Sequence, residues 1–183
     1  MRVISGKYRS RVLSTLDGDG TRPTLSKVKE AVFSMAGTFF DGGFALDLFS
    51  GSANIGIEAL SRGFESCVFV DSNPKAVRVI SKNLDNLKIE NQFVWNLDYI
   101  DALNKARDLN YIFDFIYIDP PYDKLIIEEI LKYITNNNLI SDGGLIFCER
   151  LKNDLAVYNI DELVLKKQKT YGTVEILMYK KEK

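Results

Sequence analysis

The segment Asp119-Pro120-Pro121-Tyr122 follows the apolar run Phe113 to Ile118 and has the residue types needed to hold a planar amine. A carboxylate and the carbonyl groups beside the prolines can accept two hydrogen bonds from an exocyclic NH2 group, and the Tyr122 ring can stack on the base that carries it. The segment therefore predicts chemistry at a nucleobase amine, such as its methylation. The alternative is a strand end followed by a turn that proline stiffens, since proline cannot continue a β-ladder.

Length and composition limit the classes of protein that remain. The 183 residues fit a single domain, which we expect to span 1–183, and the content of 46% hydrophobic and 27% charged residues is typical of a soluble globular protein. Without a membrane-length apolar run or a signal-peptide pattern at Met1, we expect a cytoplasmic protein. A monomer is the default expectation for such a compact chain. The absence of histidine excludes the Ser-His-Asp and Cys-His schemes and most zinc sites. Cys67 and Cys148 lie in predicted strands without further ligands at metal spacing, so we expect reduced core thiols and no metal.

Basic residues are concentrated at the two ends of the chain, although the net charge is only −1. Residues 1–30 hold seven Lys or Arg against three acids, whereas residues 31–165 hold 11 basic and 20 acidic groups. We predict a small basic β-hairpin that turns near Ser5-Gly6-Lys7 within an extension 1–23, followed by a core 24–183. Such a flap suits a phosphate backbone, and its candidate RNA-binding residues are Arg2, Lys7, Arg9, Arg11, Arg22 and Thr24. The alternative is a charged surface that only contacts solvent.

The remaining pattern alternates between strand and helix. Thr24 can cap a first helix whose apolar face holds Leu25, Val28, Val32, Met35 and Phe39. Strands are predicted over 44–49, 66–71, 93–95, 113–118 and 145–149, with helices over 54–62, from Pro74, 99–106 and 124–135 between them, and 163–171 with 174–179 as a closing antiparallel hairpin. We therefore predict an α/β fold with a mostly parallel sheet, which places any ligand outside the carboxyl ends of the strands.

Candidate binding residues follow each of these strands. The small-residue loop Phe49 to Gly56 leads into a helix and lets the backbone approach a ligand closely, although Ala53 replaces the second glycine of a dinucleotide fingerprint. Asp71, 20 residues beyond Gly51, has the spacing of a carboxylate that accepts from both hydroxyls of a ribose. Asp98 could accept from an adenine amine or cap the helix that follows it, and the spacing does not separate the two. Asp119 occupies the same position after the fourth strand.

Several segments together resemble a known family. They are Arg2-Val3-Ile4-Ser5-Gly6, Arg22-Pro23-Thr24 with Lys27-Val28-Lys29-Glu30, Asp47 to Ser52, Gly56 to Gly63, and Asp119 to Tyr122. Over nearly its whole length the sequence is similar to the class I S-adenosylmethionine-dependent methyltransferases, and specifically to the bacterial 16S ribosomal RNA guanine-N2 methyltransferases. Two positions depart from the family pattern: Ala53 stands where glycine is usual, and Asn54 where a small apolar residue is common.

This resemblance implies a Rossmann-like fold with a seven-stranded sheet and methylation of the N2 amine of a guanine in small-subunit ribosomal RNA. It implies that Phe49, Gly51, Ser52, Asn54 and Ile55 hold the methionine end of S-adenosylmethionine, that Asp71 and Ser72 contact its ribose, and that Asp98 and Tyr99 contact its adenine. Asp119 would accept from the guanine amine with help from the Pro120 carbonyl, and Tyr122 would stack on the base. The Ala53 methyl would lie beside the methionine part, where it bears on cofactor affinity.

Other functions share part of this pattern. A DNA adenine or cytosine methyltransferase has the same Asp-Pro-Pro-Tyr loop, but the chain has no room for a target-recognition region. A protein glutamine methyltransferase typically has Asn where Asp119 stands. A noncatalytic RNA-binding module could retain the fold, and a nicotinamide dehydrogenase is the least favoured because of Ala53.

Overall fold

The computed structural model describes residues 1–16, 23–90, 92–121, 126–152 and 160–182, with the side chains of 23–25 left out. Within these ranges strands and helices alternate from β1 to β5. The strands are β1 (Phe44–Asp47), β2 (Ser66–Val70), β3 (Phe93–Trp95), β4 (Phe113–Ile118), β5 (Ile140–Leu151), β6 (Leu163–Tyr171) and β7 (Val174–Lys181). The helices are α1 (Pro23–Ala36), α2 (Asn54–Ser61), α3 (Pro74–Leu87), α4 (Tyr99–Asp108) and α5 (Ile126–Asn136).

The seven strands form one sheet in the order β3-β2-β1-β4-β5-β7-β6. The first five strands in this order pair in parallel, whereas β7 runs antiparallel to both β5 and β6. This confirms the predicted α/β fold and its closing antiparallel hairpin. The strand order reverses between β1 and β4, and in sheets of this type the crevice at that point is the usual ligand site.

Apolar side chains cover both faces of the sheet, because successive residues of a strand point to opposite sides. On one face α4 and α5 pack against alternate residues of β4 such as Ile116 and Ile118. On the other face α1, α2 and α3 pack against Phe115 and Tyr117. Polar residues at the carboxyl ends of β1, β4 and β5 continue this second face, so the helices α1 and α2 flank whatever binds there.

Some predicted boundaries are wrong for identifiable reasons. Helix α1 starts at Pro23, so Thr24 lies in its first turn, and the Thr24 side chain is outside the described part. The helix ends at Ala36 because Gly37 has φ 133°, which leaves Phe39 exposed rather than on the apolar face. Strand β5 starts at Ile140, five residues before the predicted start, because Phe113 pairs with Ile140 before a register shift.

The basic N-terminal hairpin is present but short. Arg2 pairs with Val12 in one antiparallel bridge, and the Val3 and Leu13 amides donate to Arg11 and Met1 carbonyls. The centre of this pairing lies at Lys7, as predicted. Residues 4–10 do not form a tight two-residue turn; they follow the surface of α2 instead.

Both cysteines are buried and free, as predicted. In the described part of the chain, no helix is long and apolar enough to cross a membrane. Among the same residues, no cluster of His, Cys, Asp or Glu side chains could hold a metal ion.

Candidate active site

A cavity of about 180 Å³ opens at the carboxyl ends of β1, β4 and β5, beside the reversal of strand order. Six predicted site residues line it: Phe49, Gly51, Ser52, Asn54, Ile55 and Asp119. The other lining residues are Met1, Val28, Asp47, Ser50, Tyr117 and Glu149. The structure therefore brings the loop after β1 and the carboxylate after β4 to one site.

The loop after β1 is held in shape by its own hydrogen bonds. The Ser50 hydroxyl donates to the Asp47 carbonyl and accepts from the Val70 amide, which fastens the loop to β2. Gly51 has φ 53°, and a Cβ there would meet no atom within 4 Å, so the loop leaves open space on that side. Such an open cradle of small residues at a helix N-terminus fits the carboxylate and amine end of an amino acid ligand.

Ala53 adopts the left-handed conformation, with φ 65°, and its side chain is fully buried in the core. It is absent from the cavity wall. Its methyl is packed in the core, and its predicted position beside the methionine part of a cofactor stays a prediction. At Gly56 the packing is tighter still, since a Cβ would lie 2.3 Å from the Phe69 ring.

Asp71 stands at the end of β2, one strand away from the cavity wall. Its Oδ2 accepts from the Gly51 amide at 2.9 Å and its Oδ1 from the Asn73 amide at 2.8 Å. Each carboxylate oxygen has two lone pairs, so the group can still accept from ribose hydroxyls. Ser72 is exposed beside it, and the Asn96 amide donates to the carbonyls of both residues.

Asp98 and Tyr99 follow β3. The Asp98 side chain accepts from the Asp101 amide and so caps α4, which confirms one of its two predicted roles without testing the other. The Tyr99 ring lies 6.0 Å from the Phe49 ring, and the Tyr99 hydroxyl donates to Glu129 at 3.5 Å. Phe49 therefore joins the cavity to the half-buried surface at the start of α4, where a flat apolar group could lie.

Four ionisable side chains at the ends of β1, β4 and β5 form an acid cluster, defined as Asp47, Tyr117, Asp119 and Glu149. The Tyr117 hydroxyl donates to Glu149 Oε2 at 2.6 Å. Ile118 pairs with Cys148 in parallel register, so Asp119 and Glu149 follow as the next cross-strand neighbours. Asp47 pairs with Tyr117 in the same way on the other side of β4.

Burial dominates the electrostatics of the acid cluster. It raises the pKa of Asp47 to about 7, although the Gly56 amide donates to Oδ2 and opposes the shift; the Asp71 charge adds to it. Burial and the charges of Glu149 and Asp47 hold the pKa of Asp119 well above its ordinary value. Burial also raises the pKa of Glu149, against the hydrogen bond from Tyr117. Three carboxylates that resist ionisation together favour a ligand that brings positive charge.

The loop at the end of β4 is described only in part. Asp119 is half-buried and Pro120 is buried. Tyr122, predicted to stack on the base, lies outside the described residues, as does Arg22.

The flap, defined as residues 1–13, carries its cations toward solvent. Arg2, Lys7, Arg9 and Arg11 are all exposed, and the Arg2 guanidinium donates to the Ser10 carbonyl. Met1 at the root of the flap lines the cavity and its ammonium donates to the Leu13 carbonyl. The base of the flap therefore borders the cavity, whereas its turn contacts Ser61 at the other end of α2.

A buried charge network fastens the flap to α1 and α2. Glu58 accepts from the Ile4 and Ser5 amides and forms ion pairs with Lys29 at 3.0 Å and Arg62 at 2.9 Å. Lys29 Nζ also donates to the Arg2 carbonyl and to Asn54 Oδ1. The Asn54 side chain therefore serves the network, although the residue also lines the cavity as predicted.

Sequence reasoning did not identify Asp47, Tyr117 or Glu149 as site residues. Their only signal is a polar or hydroxyl group at the carboxyl end of a buried strand, as in Phe44–Asp47 and Leu145 to Glu149. The same signal predicts Asp71, Asp98 and Asp119, and applied to every strand it would have found the other two acids.

Comparisons with known proteins agree with this geometry. Residues 1–180 match the family described as conserved hypothetical protein 95. The Bacillus subtilis protein named "Putative rRNA methyltransferase YlbH" is 40% identical over 182 residues, covering 99% of each chain. The Escherichia coli protein named ribosomal RNA small subunit methyltransferase D is 30% identical over 183 residues, covering 100% of this chain and 90% of its own.

Solved structures show the same fold. A Haemophilus influenzae structure, described as a "putative methylase HI0767", is 30% identical and superposes with a TM-score of 0.83 over 100% of this chain and 99% of its own. A structure described as "Putative methyltransferase yhhF from Escherichia coli" is 27% identical, with a TM-score of 0.88 over 100% and 98% of the two chains.

Proposed function

Because the chain belongs to the family described as conserved hypothetical protein 95, we propose that it is an S-adenosylmethionine-dependent methyltransferase of ribosomal RNA. Its substrate is the exocyclic N2 amine of a guanine in 16S RNA. Both curated relatives are named as ribosomal RNA methyltransferases, and one of them is named for the small subunit. The observation that carries the proposal is the position of Asp119 on the wall of an acidic cavity beside a basic flap.

The residues of the chain fit the cofactor. The open loop at Gly51 suits its amino acid end, Asp71 suits its ribose, and the surface between Phe49 and Tyr99 suits its adenine ring. The acid cluster is matched to a ligand with positive charge. When bound, S-adenosylmethionine supplies an activated methyl group on a sulfonium.

Asp119 and the residues around it then position the acceptor. The guanine amine donates a hydrogen bond to Asp119, the Pro120 carbonyl accepts a second one, and Tyr122 stacks on the base. The amine lone pair is delocalised into the ring, so alignment with the methyl group is the main contribution, and orientation of reactants can recover roughly 7 to 11 kcal/mol. The Asp119 carboxylate also stabilises the positive charge that develops on the amine.

The target guanine must be unpaired or flipped to reach this cavity, since pairing hides its amine. Arg2, Lys7, Arg9 and Arg11, which are exposed, are proposed to contact neighbouring phosphates. The sequence prediction adds Arg22 and Thr24 to this set. We propose that residues 1–23 and 24–183 act as one unit and that the enzyme is a cytoplasmic monomer. Its natural substrate is RNA in a small-subunit particle, because the basic area is small and the body of the chain is acidic.

The deciding experiment is transfer of labelled methyl from S-adenosylmethionine to 30S particles that lack the modification, followed by nucleoside analysis. The expected product is N2-methylguanosine, and fully modified particles serve as the control. If cofactor raises the melting temperature but no methyl is transferred, the ribosomal substrate is wrong. A ligand at about 100 times its dissociation constant adds roughly 2.7 kcal/mol, so the absence of any rise would favour a noncatalytic RNA-binding module.

A further inference from the structure

Beyond Asp119, the acid cluster holds two carboxylates that the positioning of an amine does not require, Asp47 and Glu149. Glu149 is half-buried on the wall of the cavity, at the end of β5, and accepts from the Tyr117 hydroxyl. Asp119 and Glu149 directly follow the paired residues Ile118 and Cys148, and the Glu149 charge acts on Asp119. A second carboxylate beside the first costs stability and makes no ion pair among the described residues.

We propose that Glu149 is a positioning residue that acts through Asp119, so that the two carboxylates share the proton released when the amine is methylated. This inference rests on the proposed function. The bond from the methyl carbon to guanine N2 forms, and the bond from that carbon to sulfur breaks with its electron pair remaining on sulfur. The N2 proton goes to the Asp119 carboxylate, where the Glu149 charge holds it.

The charge balance of the cavity explains why two neighbouring carboxylates, Asp119 and Glu149, help to accept the proton. Before transfer, the sulfonium offsets the negative charges of the acid cluster and weakens the proton affinity of Asp119. Transfer leaves a neutral thioether, so the proton affinity of the pair rises at the moment when the amine must lose a proton. The proton thereby replaces the positive charge that the cavity loses.

The charged groups around Glu149 are compatible with this role. From β4 it faces Tyr117 and Asp119, and from β1 Asp47 adds negative charge to both. Met1 lines the cavity, and its ammonium donates to the Leu13 carbonyl. On the neighbouring strand β7, Glu175 is paired with Arg150 at 2.7 Å, so this pair is neutral as a unit.

The test is the dependence of the single-turnover methyl-transfer rate on pH. In the wild-type protein the rate rises with pH as the pair loses its proton. Glu149→Gln removes the negative neighbour of Asp119, so the rising limb moves to lower pH. Its plateau falls about tenfold, which is less than the roughly 10²–10⁴-fold that acid–base catalysis contributes as a whole, because Asp119 is still present. Tyr117→Phe removes the hydrogen-bond donor that favours the ionised form of Glu149, so the rising limb of the rate of this variant moves to higher pH. A structural role would not move the two limbs in opposite directions.

A binding measurement makes the test independent of turnover. Calorimetry in two buffers of different ionisation enthalpy, repeated at several pH values, should show that S-adenosylmethionine expels protons from the wild-type protein and expels fewer from Glu149→Gln. S-adenosylhomocysteine, which lacks the sulfonium, should expel fewer from both. Glu128→Gln on the exposed face of α5 is the matched control and should behave as wild type.

The outcomes are separable. If the wild-type protein forms N2-methylguanosine but all variants share its pH profile and proton release, the proton-sharing role is wrong and the proposed function stands. If the wild-type protein transfers no methyl, both fail. If Glu149→Gln does not fold by its thermal transition, the shift of the Tyr117→Phe limb decides: a shift to higher pH supports the inference and no shift overturns it.

Discussion

Asp119 is the residue on which the proposed chemistry depends most directly. Asp119→Ala removes the acceptor for the guanine amine and the negative charge that stabilises the transition state. We expect the methyl-transfer rate to fall by about 10²–10³-fold, as on removal of one stabilising group in other active sites. The S-adenosylmethionine dissociation constant, measured by calorimetry, should change far less, and an equal loss of both would contradict the assigned role.

The ionisation of Asp47, which lines the cavity, affects the free energy of unfolding of the protein. Burial raises its pKa from 3.8 to about 7, so its carboxyl favours the folded state below about pH 4, and this contribution is lost as the pH rises to about 7. Asp47→Asn should therefore leave the free energy of unfolding unchanged near pH 4. At pH 8 it should stabilise the unliganded protein by roughly 1 to 4 kcal/mol, because one pKa unit corresponds to about 1.4 kcal/mol.

Urea unfolding at the two pH values measures this difference. Asp85→Asn, on the exposed side of α3, is the matched control and should change the free energy of unfolding by less than about 0.5 kcal/mol. If Asp47→Asn stabilises the protein equally at pH 4 and pH 8, ionisation of the Asp47 carboxyl is not the cause of the stabilisation.

Among the elements, the flap and α2 depend on one buried carboxylate. Glu58 is fully buried between two cations and two amides, so Glu58→Gln leaves Lys29 and Arg62 without a counter-charge. Breaking a buried ion pair typically costs about 3 to 5 kcal/mol. We expect a loss of this size in urea unfolding, together with faster hydrogen exchange at the Ile4 and Ser5 amides.

Glu128→Gln is the natural comparison, because Glu128 also pairs with a cation four residues later, Lys132, but both side chains are exposed. Its loss should cost less than about 0.5 kcal/mol. If the two substitutions cost the same, burial is not what makes the Glu58 network important.

The sequence was most informative about the helices and strands. Helical and alternating periodicity depend on local spacing, so β4 and the opening of α3 at Pro74 were predicted correctly. The end of α1 was not, because Gly37 ends the helix through its backbone conformation rather than through an apolar pattern. The early start of β5 depends on pairing with Phe113, which is 27 residues earlier in the chain.

For the site, too, the sequence predicted the residues that form continuous segments and missed the groupings that depend on strand pairing. The loop after β1 and Asp119 could be found because each forms a continuous segment of recognisable composition. Asp47 and Glu149 could have been found in the same way as strand-end acids, but their grouping with Tyr117 could not, since Tyr117 and Glu149 are 32 residues apart and meet only through strand pairing. The Lys29 and Glu58 network was missed for the same reason, as local patterns do not reveal which charges are buried together.

For the whole molecule, the separation of charge predicts which surface contacts RNA. The flap cations are exposed beside an acidic body, so phosphate contacts should come mainly from the flap. Replacing Arg9 and Arg11 by Ala should weaken binding to small-subunit particles and reduce the slope of log affinity against log salt by about 1 for each phosphate that is no longer neutralised. The rate at saturating substrate should be unchanged.

Lys82→Ala, on the exposed side of α3, is the matched control and should leave both affinity and salt slope as in the wild-type protein. Filter binding at several salt concentrations measures these quantities. Strong binding to naked RNA fragments that salt does not weaken would contradict the assignment of the flap and of the particle as substrate.

The close approach of Gly6 to α2 has a consequence for protein engineering. A Cβ at Gly6 would lie 1.7 Å from the Ser61 carbonyl oxygen, and the Lys7 amide and Tyr8 amide donate to the Ser61 carbonyl and hydroxyl. The flap and α2 therefore have complementary surfaces and must be exchanged together between related proteins. A chimera that takes its flap from a relative with different RNA preference must take α2 from the same parent, or the new flap will have no surface on which to fold.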